Sequence, residues 1–277
     1  MESKKCERKG RCMSRILKVG DHFEMVSQRG KNVIIQQISG RRDARRVVII
    51  GNGHSIELDD KNNVIWKDPG MRRFTPKFKQ KDIAIYAFYF VRKVANLEDS
   101  AKELADFISS ISGSQEVILV GHSKSGICVE RACDYARRRV DVCVAVSAPH
   151  QGTIAASDFA FSRALGDGVV AKIYQKAFSD HQVDRDILPF NMSGKNMKKP
   201  VNCIKHINVV SVLDWHKSIH PVDLGSMILD NMASTDGDGI VPERSQQVSW
   251  TDREERLYVS HARSLNKALR YVEAYLL

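Results

Sequence analysis

With 277 residues, 43% of them hydrophobic, the chain is long enough for one large α/β domain or two small ones, and apolar enough to bury a sizeable core. Its formal net charge of +10 invites an acidic partner. However, the excess sits in solvated patches (Lys4, Lys5, Arg8, Lys9, Arg11 and Arg15; Arg41, Arg42, Arg45 and Arg46; Arg137, Arg138 and Arg139) without interleaved aromatics, so a nucleic-acid partner is not expected. No stretch approaches the roughly 20 apolar residues of a membrane span, and no apolar segment follows the amino-terminal charges as a secretory signal requires. A cytoplasmic location is the simplest expectation, with peripheral contact to a membrane left open.

Residues 1–30 are polar and basic and read as a flexible lead-in; residues 31–277 read as one domain. Within it, Val33 to Ile38 and Arg46 to Ile50 are short β-branched runs with strand character. Residues 51–80 are rich in Gly and Pro and read as loop. Ile83 to Val91 is an apolar strand. Leu97, Ala101, Leu104, Ile108 and Ile111 recur at steps of four and three, which predicts a helix with one apolar stripe. Asn96 and Ser100 are both candidate caps for it. Glu116 to Val120 is a continuous apolar strand, Ser125 to Arg139 a helix, and Val140 to Ser147 a strand again. Residues 150–200 break this rhythm and read as an inserted cap-like segment, with a helical pattern at 169–178. His206 to Leu213 and Arg256 to Val259 are predicted strands, and Leu265, Ala268, Leu269, Val272 and Leu276 mark a final helix. Strands buried on both faces and alternating with helices predict a mostly parallel sheet covered by helices on both sides. Cys128, Cys133 and Cys143 lie in apolar helix or strand contexts and are expected as buried free thiols. None of the six cysteines forms a CxxC pair, so neither metal nor cofactor is expected.

The chemistry concentrates at Gly121-His122-Ser123-Lys124-Ser125-Gly126, between an apolar strand and a helix. A serine there stands at the carboxyl edge of the sheet, where open α/β folds bind ligands. Small neighbours allow a tight turn, which lifts the hydroxyl clear of the sheet and aims the first helix amides at whatever it attacks. This stretch resembles the Gly-x-Ser-x-Gly elbow of the α/β-hydrolase family, and within it the bacterial lipases and esterases. It departs at one place: Ser125 stands where the second glycine is usual, with Gly126 just after. The resemblance runs from about residue 46 to the carboxyl terminus. The helix expected between the strands at 46–50 and 83–91 is not evident in the sequence.

The resemblance implies a serine nucleophile at Ser123, followed in chain order by an acid and a histidine. His261 lies after the last strand and before the last helix, the family's place for the base. Asp238, in an Asp-Gly-Ile-Val-Pro run, fits the loop that carries the acid in many lipases; Asp236 and Asp214 are rivals. The backbone N–H of Lys124 would be one oxyanion donor. The second would come from Asn52 or Gly53, after the strand ending at Ile50. Ser147 to Thr153 looks like a run that supports the site in lipases, which leaves His150 a structural role. Asp214, His216, His220 and Asp223 cluster in sequence, but Pro221 ends any helix that would align them, and a solvated loop is the plainer reading. The expected activity is cleavage of a small-molecule carboxylic ester through an acyl-enzyme. The alternatives are a thioesterase or acyltransferase with the same triad, or a non-catalytic binding module of the same fold.

Overall fold

The computed structural model describes residues 13–18, 24–29, 32–55, 82–90, 96–153, 186, 192, 198–214, 216, 217, 223 and 236–276. Its strands are β1 (Met13–Lys18), β2 (Glu24–Arg29), β3 (Val33–Ser39), β4 (Arg46–Ser55), β5 (Ile83–Phe90), β6 (Glu116–His122), β7 (Val140–Val146), β8 (Cys203–Ser211) and β9 (Arg253–Leu257). The helices are α1 (Leu97–Ser110), α2 (Lys124–Tyr135), the single turn α3 (Glu243–Gln246) and α4 (His261–Leu276). All the strands join one sheet in the order β1-β2-β3-β5-β4-β6-β7-β8-β9. From β5 to β9 the neighbours are parallel; β1, β2, β3 and β5 pair antiparallel.

Alternation along the central strands divides the core in two. Val47 and Ile49 of β4 point to one face with Phe88, Val117 and Leu119, and meet Leu97, Ala101 and Leu104 of α1 and Ile127, Cys128 and Ala132 of α2. Val48 and Ile50 point to the other face with Ile85, Val120 and Val144, and meet Leu265, Ala268, Leu269 and Val272 of α4. Leu97, Ala101, Leu104 and Ile108 of the predicted α1 stripe, and Leu265, Ala268, Leu269 and Val272 of the α4 stripe, are therefore buried. Asn96, of the two candidate caps, closes α1: its side chain accepts the Asp99 N–H at 3.0 Å. Cys128, Cys133 and Cys143 are buried free thiols, as is Cys203; burial pushes the Cys128 thiol well up, so it behaves as core filling.

The lead-in of 1–30 requires a correction. Residues 13–18 and 24–29 form an antiparallel pair that extends the sheet beyond β3. Their pairing is carried by backbone register onto an apolar neighbour, not by hydrophobic alternation of their own. Several boundaries also shift: β4 continues to Ser55, into the stretch read as loop, and β9 spans Arg253–Leu257 where Arg256 to Val259 was expected. α2 ends at Tyr135 with Ala136 as cap, before Arg137, and β8 begins at Cys203, earlier than the apolar run from His206. Most of the predicted insertion at 150–200, with its helical pattern at 169–178, lies outside the described residues. So do most of residues 54–80 and His220. No helix among the described residues is long and apolar enough to cross a membrane.

Candidate active site

The turn from β6 into α2 is as tight as its small residues permit. A Cβ at Gly121 would lie 2.2 Å from the Ser125 carbonyl oxygen, so no side chain fits there. Ser123 takes φ 56° and ψ −129°, a conformation that L-residues rarely adopt, and its own N–H donates to Val146 O of β7 at 2.9 Å. Strain of this kind persists only where the surroundings over-determine it. Lys124 opens α2, so its backbone N–H lies at the helix's positive amino end. The Lys124 side chain turns inward and is 2% exposed. Its Nζ sits 5.1 Å over the Phe90 ring and 4.0 Å from Asp186 Oδ2, whose carboxylate also accepts the Leu97 N–H at the start of α1.

Asp238 is fully buried on a turn closed by a Gly237–Pro242 bridge. Its Oδ1 accepts the N–H groups of Ile240 (3.1 Å) and Val241 (2.8 Å), which fixes the carboxylate and leaves Oδ2 for His261 Nδ1 at 2.7 Å. The main chains meet as well, with His261 N–H donating to Asp238 O at 2.9 Å. A carboxylate oxygen only accepts, so the neutral ring carries its proton on Nδ1 and presents Nε2 as a base. Among the described residues, no hydrogen bond reaches His261 Nε2 or Ser123 Oγ, and none yet joins the two. Such bonds commonly close only when substrate is present.

Of the three acids considered, the structure brings Asp238 to His261. Asp214 accepts the His216 N–H at 2.8 Å and lies 3.9 Å from Lys217, and Asp236 is exposed. Of the two candidates for the second oxyanion donor, Gly53 is engaged elsewhere: its N–H donates to Ser125 Oγ at 2.8 Å. The run from Ser147 to Thr153 meets the acid turn through the helix that follows it. Ser245 Oγ donates to Gly152 O at 2.6 Å, and His150 is buried against Glu130.

The contacts of several supporting residues were not read from the sequence. Gln246 is fully buried; its amide donates to Ser211 O and Val241 O, both at 2.9 Å, and accepts the Ser211 N–H at 2.8 Å, so it ties the acid turn to the end of β8. Asp223, read from the sequence as part of a solvated loop, is instead buried: it accepts the Ser260 N–H at 2.9 Å and pairs with Arg263, bracketing His261. The His122 ring packs on the His261 ring with centroids 4.5 Å apart. Glu130 sits between His150 and His206, at 2.9 and 2.8 Å.

A solved lipase, BlEst2 of Bacillus licheniformis in its mature form, is similar over 86% of this chain and 94% of its own, with a TM-score of 0.56 at 16% identity. The metagenomic carboxyl esterase MGS0156 is similar over 86% of this chain and 78% of its own, with a TM-score of 0.50 at 13% identity. The chain has the α/β-hydrolase fold. No family model and no curated protein matches its sequence. Ser123 follows β6, Asp238 lies between β8 and β9, and His261 opens α4 after β9.

Proposed function

We propose that the protein is a serine hydrolase that cleaves a carboxylic ester, with Ser123 as nucleophile, His261 as base and Asp238 as orienting acid. The observation that carries this reading is the 2.7 Å contact between His261 Nδ1 and the buried Asp238 carboxylate, next to a serine held at φ 56° on a strand–helix elbow. His261 Nε2 takes the proton as Ser123 Oγ bonds to the ester carbonyl carbon. The oxyanion of the tetrahedral intermediate is met by the Lys124 N–H and a second donor from the turn that begins at Asn52. Such donors are worth about 3 kcal/mol each in the transition state. Collapse expels the alcohol, which takes the proton from His261, and leaves an acyl group on Ser123. A water activated by the same imidazole then releases the acid. The substrate is a small acyl ester, and the chemistry requires neither metal nor cofactor.

A fluorophosphonate probe tests the nucleophile directly. The protein should be labelled at Ser123, and Ser123→Ala should lose the label together with activity on a short p-nitrophenyl ester, by a factor of about 10⁴ or more. Full activity in that variant would sink the assignment.

A further inference from the structure

Asn52 C=O and Gly53 N–H are the two ends of one peptide group, and each end is held by a side chain from the elbow. His122 Nδ1 lies 3.2 Å from Asn52 O, and Ser125 Oγ accepts the Gly53 N–H at 2.8 Å. His122 precedes Ser123 directly, and Ser125 follows two residues later. Both are buried, at 3% and 1% exposure. The second nitrogen of His122, Nε2, lies 3.1 Å from the backbone carbonyl of His261. The peptide they hold runs against the nucleophile: Gly53 has φ 76°, and a Cβ there would come within 2.9 Å of Ser123 Cβ. The end of β4, from which the second oxyanion donor is proposed, therefore contains a peptide plane held from the elbow by His122 and Ser125.

We propose that His122 and Ser125 are positioning residues that clamp the Asn52–Gly53 peptide, with His122 donating its one N–H from Nδ1 to Asn52 O. The role rests on the serine-hydrolase reading above. Ser125 replaces the glycine expected at this place of the elbow, and the replacement has a function. Glycine would preserve the turn but offer the part-buried Gly53 N–H no acceptor, and losing that hydrogen bond is costly. Released, the peptide rotates to find another partner, and the Asn52 N–H beside it moves with it. Misplacement of donors by a fraction of an ångström acts on the transition state more than on substrate binding.

The test uses the full chain, with Ser125→Ala, His122→Gln and the double variant. Turnover of a p-nitrophenyl ester is normalised to sites titrated with a fluorophosphonate, and exchange of the Gly53 amide hydrogen is followed by NMR. Normalisation removes any molecules that fail to fold. Ser125→Ala should lower kcat by about tenfold while KM stays within about twofold, and Gly53 exchange should quicken. Because both side chains hold one peptide, their effects on kcat should be non-additive in the double variant. Unchanged Gly53 exchange, unchanged kcat in Ser125→Ala or strict additivity would each overturn the proposal. A wild-type protein that neither turns over ester nor takes the probe overturns the hydrolase reading and the positioning role with it. Gly53 exchange then shows separately whether the clamp itself exists.

Discussion

Asp238 and Glu130 are both buried carboxylates in contact with imidazoles, and their surroundings separate them. Asp238 meets one histidine, His261, at 2.7 Å, and that ring's other nitrogen has no hydrogen bond among the described residues. Glu130 meets two, His150 at 2.9 Å and His206 at 2.8 Å, and each of those rings is engaged at its far nitrogen as well. His150 Nδ1 faces Gln246 O at 3.2 Å, and His206 Nδ1 faces Thr251 Oγ1 at 3.0 Å. Trp250 packs against both rings. One ring keeps a nitrogen that no hydrogen bond among the described residues reaches, whereas the two rings of the other assembly are engaged at both nitrogens. A buried carboxylate–histidine pair is therefore no sign of catalysis by itself. What matters is whether the second ring nitrogen is left for a substrate or a nucleophile.

The same substitution at the two sites should have opposite consequences. Asp238→Asn replaces an acceptor by a group that favours the wrong tautomer of His261, and kcat should fall by roughly 10⁴. Asp214→Asn and Asp236→Asn, remote from that ring's hydrogen bonds, should leave kcat within about twofold. Steady-state rates on one ester decide this. If Asp214→Asn is the crippling change, the acid is misassigned although the hydrolase reading survives.

Glu130→Gln should instead unfold the protein more easily. Removing one partner of a buried pair costs about 3 to 5 kcal/mol, read as a lower urea midpoint, with kcat per folded molecule little changed. Burial pushes the Glu130 carboxyl up, but His150 and His206 outweigh it and bring it from the ordinary 4.5 down to about 2. A carboxyl depressed on folding stabilises the fold above its unfolded value, and that stability is lost as pH falls through the folded one. The wild-type advantage over Glu130→Gln should therefore be complete above about pH 4.5 and vanish towards pH 2. A constant difference in urea midpoint across that window would mean that the carboxylate's charge is not what holds the knot.

The two assemblies also differ in how far the sequence discloses them. The elbow was legible because its signals are contiguous: an apolar strand, Gly121, Ser123, Gly126 and a helix within a dozen residues. Asp238 was legible through the local Asp-Gly-Ile-Val-Pro pattern, and His261 through its place between the last strand and the last helix. The Glu130 knot was not, because a glutamate on an amphipathic helix looks like a solvated residue until His150 and His206 arrive from distant strand ends. The clamp on Asn52–Gly53 was hidden for the same reason. Its contacts span 70 and 72 residues, and the one from His122 to His261 spans 139. β1 and β2 escaped because neither shows the alternation that reveals a half-buried strand; β2 is ordered by pairing with β3, and β1 by pairing with β2.

Asp223 offers a smaller test of the same distinction, since it is a third buried carboxylate, 1% exposed, and meets no histidine among the described residues. Its Oδ1 accepts the Ser260 N–H at 2.9 Å and its Oδ2 pairs with Arg263, so it grips the chain on both sides of His261 without touching the ring. Removing it leaves a buried N–H unsatisfied and a guanidinium unpaired, and the backbone that aims His261 at Ser123 loses a fixed point. Asp223→Ala should lower kcat by about tenfold with KM nearly constant, and cost about 1 to 3 kcal/mol of stability. Asp223→Asn keeps an oxygen towards Ser260 and should recover most of the rate while still weakening the contact to Arg263. If alanine and asparagine are equally slow, the charge pair with Arg263 sets the position of His261. If both run at the wild-type rate, the Asp238 contact and the His122 ring place His261 without Asp223.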